Sequence, residues 1–336
     1  WKAGVLLLAG CLVGCSGSRV EPRESAVERD DGDRLSVVAT HSVLCDLADQ
    51  LAGDLLDVTC LLTPGQDPHT FSPSPGDPAA IADADLILYG GYRLAPKIES
   101  LLQDAISPAP KIPVYERAVP DPLRPTAIAS YADDPEHAHR HFDLTVTAAD
   151  PHVWHDASHG AAIAQVIASS LVEIAPDRAD IVRDRADEIA TELQTLHGWI
   201  SGQVATVSPD RRKLVTTHAA FGYYAEAYGL EVAGALSGLS NSEQPSAQRL
   251  AALVDWVESS NIPAIFAESS TNRELIETVG RNSGAIVPER SLFVEGPGGA
   301  GTLAPTYQAM LIGNTCTIVE GLGGTCGTDF QSTAAE

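Results

Sequence analysis

Positive charge is scarce in this chain. Its 336 residues hold 21 Lys and Arg against 45 Asp and Glu, a formal net charge of −24. Basic residues form no cluster, so nucleic acid and anionic membrane surfaces are excluded as direct partners, and cations are what such a field gathers. Enzyme signatures are missing too. The sequence has no nucleophile elbow, no phosphate-binding loop and no dinucleotide fingerprint. It carries no tandem short repeat. Six cysteines occur, at spacings that match no zinc–thiolate pattern. What remains is ordinary for a soluble globular protein: 44% apolar and 20% charged residues, in a length that suits about two domains.

The start reads "WKAGVLLLAGCLVGCSGS". Lys2 precedes an apolar run and small residues, the outline of a secretory signal and too short to span a membrane as a helix. Leu8-Ala9-Gly10-Cys11 and Leu12-Val13-Gly14-Cys15 are both similar to the bacterial lipoprotein box, in which the cysteine is lipidated. Cys15 is the expected anchor, with Cys11 as the alternative, because Cys15 leaves a longer apolar stretch ahead of it. Residues 1–15 then form a lipoprotein signal peptide. Residues 16–33 are polar, charged and aperiodic, and read as a flexible tether. Cys45, Cys60, Cys316 and Cys326 are an even set in an exported chain and permit two disulfides. Proximity in sequence pairs 45–60 and 316–326, but the sequence leaves the connectivity open.

Hydrophobic periodicity then gives the architecture. "RLSVVAT", "LDVTCLL" and "DLILYGG" are short apolar runs suited to buried strands, and helical spacing lies between them in "SVLCDLADQLAG" and "PAAIADA". Such alternation implies a parallel sheet with ligand sites beyond the strand carboxyl ends. A helical pattern resumes near Ser158. Pro176 suits the first turn of a further helix, on which Ile189, Leu193, Leu196, Ile200 and Val204 form one face. That helix runs to about Val207, long enough to join two lobes. Alternation then restarts with "KLVTTH", a strand expected to end on His218, and continues through "AAFGYYAEAYG", "EVAGAL", "SAQRLAALVDWVESSN", "AIFAES", "RELIETVGRNSG" and "AIVP" to a closing helix. The expected fold class is α/β. Two lobes, 34–175 and 208–330, each have a parallel-type sheet flanked by helices, and one long helix over 176–207 joins them.

Three histidines share one placement. His69 follows a strand, in the proline-rich loop "GQDPHTFSPSP"; His152 follows Asp-Pro in "ADPHVWHD"; His218 stands where a strand meets a helix. Proline restrains its own φ and the residue before it, so an imidazole held this way loses little freedom when a metal arrives. Neutral imidazole is a ligand for zinc, copper, iron and nickel. His155 makes His-x-x-His with His152, but the zinc-protease pattern needs a Glu after the first His, which is absent. His155 reads as incidental, and His41, His159 and His197 as structural or surface positions.

"GQDPHTFSPSP", "ADPHVWHD" and "TTHAAFGYYAEAYG", in this order, resemble the bacterial periplasmic solute-binding proteins that serve zinc and manganese ABC importers. The likeness includes "PSAQRLAALVDWVESSNIPAIFAES" and "APTYQAMLIGNTCTIVEGL", and runs from about Leu35 to Leu322. The resemblance implies two α/β lobes joined by a rigid helix, with the metal between them. It makes His69, His152 and His218 metal ligands. The fourth ligand in many members is an Asp before the last helix. In "LFVEGPGGAGTLAPTY" Glu295 stands there, as ligand or as a residue that leaves the position to water. Glu268 in "FAESSTN" is the rival carboxylate, expected beside the site. "HAHRH" (His137, His139, His141) lies where zinc-selective members carry a His-rich loop, and is a candidate accessory metal loop. The implied partners are an ABC permease and its ATPase, with a membrane contact through the lipid anchor, no nucleic acid, and a monomeric chain.

Three imidazoles and one carboxylate suit four-coordinate Zn²⁺, whereas Mn²⁺ takes more oxygen ligands and lies low in the Irving–Williams order. Zinc is the expected cargo. Manganese is the alternative, since "THSVLCDL" and "FAES" are similar to cyanobacterial manganese-binding members. The competing reading is a zinc-dependent hydrolase, which needs an open metal position and a nearby general base such as Glu268.

Overall fold

The computed structural model describes Trp1 and residues 34–124, 149–236, 246–327 and 330. Cys11, Cys15, the tether 16–33 and the loop with His137, His139 and His141 lie outside the described residues.

The first sheet is parallel throughout. Its strands are β1 (Ser36–Ala39), β2 (Asp57–Cys60), β3 (Leu86–Tyr89) and β4 (Lys111–Pro113), in the order β2-β1-β3-β4. β1 and β3 are apolar on both faces because both are covered. Val37, Ala39, Leu86 and Leu88 point into the largest core cluster, while Val38 and Ile87 point to the opposite one. Helix α1 (Ser42–Ala52) covers the first face and stops at Gly53, whose φ is +55°. Helices α2 (Asp77–Asp83) and α3 (Pro96–Asp104) cover the second, through Ile81, Ile98 and Leu102. Residues 96–118, which periodicity leaves unassigned, hold α3, β4 and the short α4 (Val114–Ala118). Disulfide Cys45–Cys60 ties α1 to the end of β2.

Helix α5 (Ala157–Ile174) follows the His152 loop, with Asp156 as its N-cap accepting from Ser158 N–H at 2.8 Å. Pro176 opens a single 3₁₀ turn, Pro176–Arg178, and the long helix α6 (Ala179–Ala205) starts only after it. Its 27 residues span about 40 Å at 1.5 Å per residue. Val182, Ala186, Ile189, Leu193, Leu196, Ile200 and Val204 are buried along one stripe, as the spacing predicts. Arg185 on α6 donates to the carbonyls of Leu51 and Ala52 at 3.0 and 2.8 Å, satisfying the open end of α1.

The second sheet pairs β5 (Lys213–Thr216) with β6 (Glu231–Ala235) in parallel, with α7 (Gly222–Tyr228) between them. Beyond β5 the ladder continues as single bridges, Thr216 to Phe266, Ala264 to Ile286 and Glu268 to Leu292. The segments "AIFAES" and "AIVP" are therefore extended but not full strands. Pro263 and Pro288 bracket them and cannot donate to a ladder. Helices α8 (Ala247–Ser259) and α9 (Arg273–Ser283) cover the outer face, over Val215, Ile265 and Ala267. The inner face, with Leu214, Ala264, Phe266 and Leu292, joins the same cluster as Val37 and Leu88. Helix α10 (Tyr307–Gly321) closes the chain, and Cys316–Cys326 staples its end. One core thus runs through α5, α6 and α10 from the first sheet to the second.

Candidate metal centre

Each candidate ligand is presented by a carboxylate or a clamped backbone. Asp67 Oδ1 accepts the His69 N–H at 2.8 Å, and Asp150 Oδ1 accepts the His152 N–H at 3.0 Å. Both are turns in which an Asp side chain folds back two residues. The recurrence of Asp-Pro-His therefore rests on the Asp as much as on the Pro, a role that the sequence reading gave to Pro68 and Pro151 alone. Asp150 Oδ1 also accepts from His152 Nδ1 at 2.7 Å.

His218 does not end a strand. β5 stops at Thr216 and α7 begins at Gly222, so His218 lies in the loop between them. Glu268 takes it out of the ladder: Oε1 accepts its backbone N–H and Oε2 its Nδ1–H, each at 2.8 Å. Glu268 is thus the orienting partner of His218, and both of its oxygens are engaged there.

Glu295 sits on the loop before α10. Asn314 brackets Phe293 by accepting from its N–H at 2.8 Å and donating to its carbonyl at 2.7 Å. Trp154 Nε1 donates to the Val294 carbonyl at 2.9 Å, and Ser42 Oγ to the Glu295 carbonyl at 2.8 Å. Gly296 has φ +120°, and a Cβ there would collide with Ser42 Oγ.

These elements bring four side chains together. Nε2 of His69 and Nε2 of His152 lie 3.2 Å apart, and Nε2 of His152 and of His218 lie 3.3 Å apart. Glu295 Oε1 is 3.3 Å from His218 Nε2 and 3.9 Å from His69 Nε2. All four atoms fall within 4.8 Å of one another. A tetrahedral ion with bonds of about 2.1 Å places its ligand atoms about 3.4 Å apart, so the residues fit one. With Nδ1 of His152 and of His218 donating to carboxylates, their Nε2 atoms turn inward. Glu295 is buried, and its carboxylate faces the imidazoles of His218 and His69. A cation among these atoms offsets the cost of burying that carboxylate.

The electrostatics agree. Burial pushes the His69 pKa down to about 3 against the opposing pull of Glu295, so His69 is neutral and available to a metal. Burial also disfavours charge on Glu295, yet His218, His69 and His152 hold its carboxyl well below the usual range. For His218 burial is again the largest effect, but Glu268 and Glu295 together raise its pKa well above the ordinary value. The negative field that favours a proton there favours a dication equally.

The remaining histidines are placed less simply than the sequence reading has them. His155 is fully buried, packs on Phe221 with ring centroids 4.3 Å apart, and has neither ring nitrogen partnered among the described residues. His41 is buried too, with Nδ1 hydrogen-bonded to the Tyr115 hydroxyl. His197 meets Asp156 at 3.0 Å beside the N-terminus of α5, and His159 lies 3.8 Å from the same carboxylate. The sequence reading missed the supporting roles of Asp67, Asp150, Ser42 and Trp154. The repeated Asp of Asp-Pro-His was the one available signal.

Two parallel α/β halves around a shared core, with a closed pocket of three imidazoles and a carboxylate, define a metal-binding protein. The profile of the family described as the periplasmic zinc-uptake complex component A matches residues 37–321. The chain belongs to that family, whose members are binding components of uptake systems and not enzymes. It is 31% identical over 324 residues to a manganese-binding lipoprotein of Bacillus subtilis, covering 95% of this chain and 98% of the relative. It is 29% identical to the zinc-binding protein TroA of Treponema pallidum, over 87% of this chain and 90% of the relative. The solved periplasmic zinc-binding TroA structure superimposes with TM-score 0.74 at 27% identity, covering 86% of this chain and 99% of that one.

Proposed function

We propose that this chain captures Zn²⁺ outside the cytoplasm between His69, His152, His218 and Glu295, and delivers it to an ABC permease driven by its ATPase. The observation that carries the reading is the convergence of three imidazole nitrogens and one buried carboxylate oxygen within 4.8 Å. Nitrogen-rich four-coordination favours zinc over manganese. The lobes of the working unit are 34–175 and 208–330, with 176–207 as the link. A lipid on Cys15, or on Cys11, holds the protein at the membrane, in keeping with the lipoprotein name of the Bacillus relative.

The name of that same relative supports manganese as the second reading. Hydrolysis has no support, because both Glu268 oxygens serve His218 and leave no general base there. Elemental analysis of protein purified without added metal, followed by zinc-versus-manganese competition, tests the proposal. Stoichiometric zinc that manganese fails to displace is the expected result. Displacement of zinc by equimolar manganese would overturn it.

A further inference from the structure

Trp154 stands two residues after His152 and is not itself a candidate ligand. Its indole is fully buried, and its Nε1–H reaches across 140 residues of sequence to the carbonyl of Val294, the residue before Glu295. The ring lies 5.3 Å from the His152 ring by centroids, and 4.5 and 5.3 Å from the rings of His41 and Tyr115. The Trp154 carbonyl accepts from the Tyr307 hydroxyl on α10. The indole is therefore packed against aromatic rings and anchored through its own backbone.

Three groups hold the backbone of residues 293–295: Asn314 at Phe293, Trp154 at Val294 and Ser42 at Glu295. Asn314 belongs to α10 and Ser42 to α1. Of the three, only Trp154 stands on a loop that itself presents a candidate ligand. One rigid side chain thus links the loop of His152 to the loop of Glu295. The link matters because Glu carries one methylene more than Asp, and the ion-pair partners of the Glu295 carboxylate among the described residues are themselves candidate ligands, His218 at 3.3 Å and His69 at 3.9 Å. The direction of its carboxylate depends on the backbone below it and on the cation.

We propose that Trp154 is a positioning residue for the bound metal, its single indole hydrogen bond setting the reach between His152 and Glu295. The inference rests on the metal-site reading above. It is tested by a double-mutant cycle on zinc affinity, measured by chelator competition in the wild type, Trp154→Phe, Glu295→Ala and the double variant. Replacing Trp154 alone by benzothienylalanine, which keeps the bicyclic shape and puts sulfur in place of N–H, removes only the hydrogen bond. That protein carries the test if Trp154→Phe fails to fold. Unfolding of each metal-free protein is measured alongside.

Loss of an outer partner of a ligand typically lowers metal affinity by roughly 10–100-fold, and a loss of that size is expected for both Trp154 replacements. No further loss is expected once Glu295 is already Ala. An equal loss in both backgrounds would make Trp154 a general support of the fold and overturn this inference alone. Wild-type affinity in Glu295→Ala itself would overturn the carboxylate assignment, and the role of Trp154 with it.

Discussion

Glu268 grips His218 at two points, its Oε1 on the backbone N–H and its Oε2 on Nδ1, both at 2.8 Å. The pair is fully buried, and Glu268 makes a parallel bridge to Leu292, three residues before Glu295. A carboxylate that fixes the tautomer and orientation of a ligating imidazole belongs to the working site. Glu268→Gln keeps the size but loses the charge and one acceptor. Zinc affinity is expected to fall by roughly 10–100-fold with little change in far-UV circular dichroism. Unchanged affinity in a chelator titration would sink the idea that Glu268 orients His218.

His69 is the candidate ligand nearest the surface, with a side chain 7% exposed, and its loop is set by Asp67 rather than by the core. His69→Ala should therefore leave the metal-free fold intact. It should also lower metal affinity by more than the loss of a supporting partner does. Stability supplied by metal follows RT ln(1 + [L]/Kd), about 4 kcal/mol at a thousand-fold excess over Kd. The shift in melting temperature on adding zinc should be large in the wild type and nearly absent in His69→Ala. An undiminished shift removes His69 from the site.

The large core that passes from Val37 through Leu196 to Phe266 and Leu322 resists wide separation of its halves. A hinge motion would expose this surface at about 25 cal/mol per Å². Small-angle scattering of metal-free and zinc-loaded protein should give nearly equal radii of gyration. A marked contraction on adding zinc would show that the core opens.

Acid should weaken the metal-free fold from an unusually high pH. Burial drives the pKa of His41 down to about 3 and that of His155 well below its ordinary value. A group with a depressed folded-state pKa contributes stability that is present above its unfolded pKa, 6.5 for His, and is lost as the pH falls. Asp46 works in the opposite sense. Burial raises it to about 6, so its contribution is lost as the pH rises towards that value. The two effects overlap below pH 6; between about 6 and 7 His41, His69 and His155 act together against His218, whose raised pKa gains stability as the pH falls. Urea unfolding of metal-free protein should show stability falling over that window, with a shallower slope in His155→Leu. The same slope in both proteins would mean that His155 takes up no proton on unfolding.

Much of this was readable in one dimension. Short continuous apolar runs locate β1 and β3, and period-3.6 patterns locate α1 and the stripe of α6, because strands covered on both faces and one-sided helices leave different spacings of Val, Leu and Ile. His69, His152 and His218 declare themselves by standing at element boundaries, two of them behind the same dipeptide. The two-disulfide pairing was left open and is closed by the approach of α1 to β2 and by the fold-back after α10.

The alternation of strands and helices, the long helix, and the residues able to offer a metal their side chains are legible in the residue order. Which atoms meet, and what aims them, follows from the packing of distant segments. Glu268 and Trp154 lie 50 and 140 residues from the groups they hold. The second sheet continues past β5 only through single bridges, where the apolar runs of "AIFAES" and "AIVP" led to full strands being expected. Spacing encodes what a residue does to its neighbours three or four places away. It carries no record of a hydrogen bond closed across a whole lobe, and the candidate metal centre is built from such bonds.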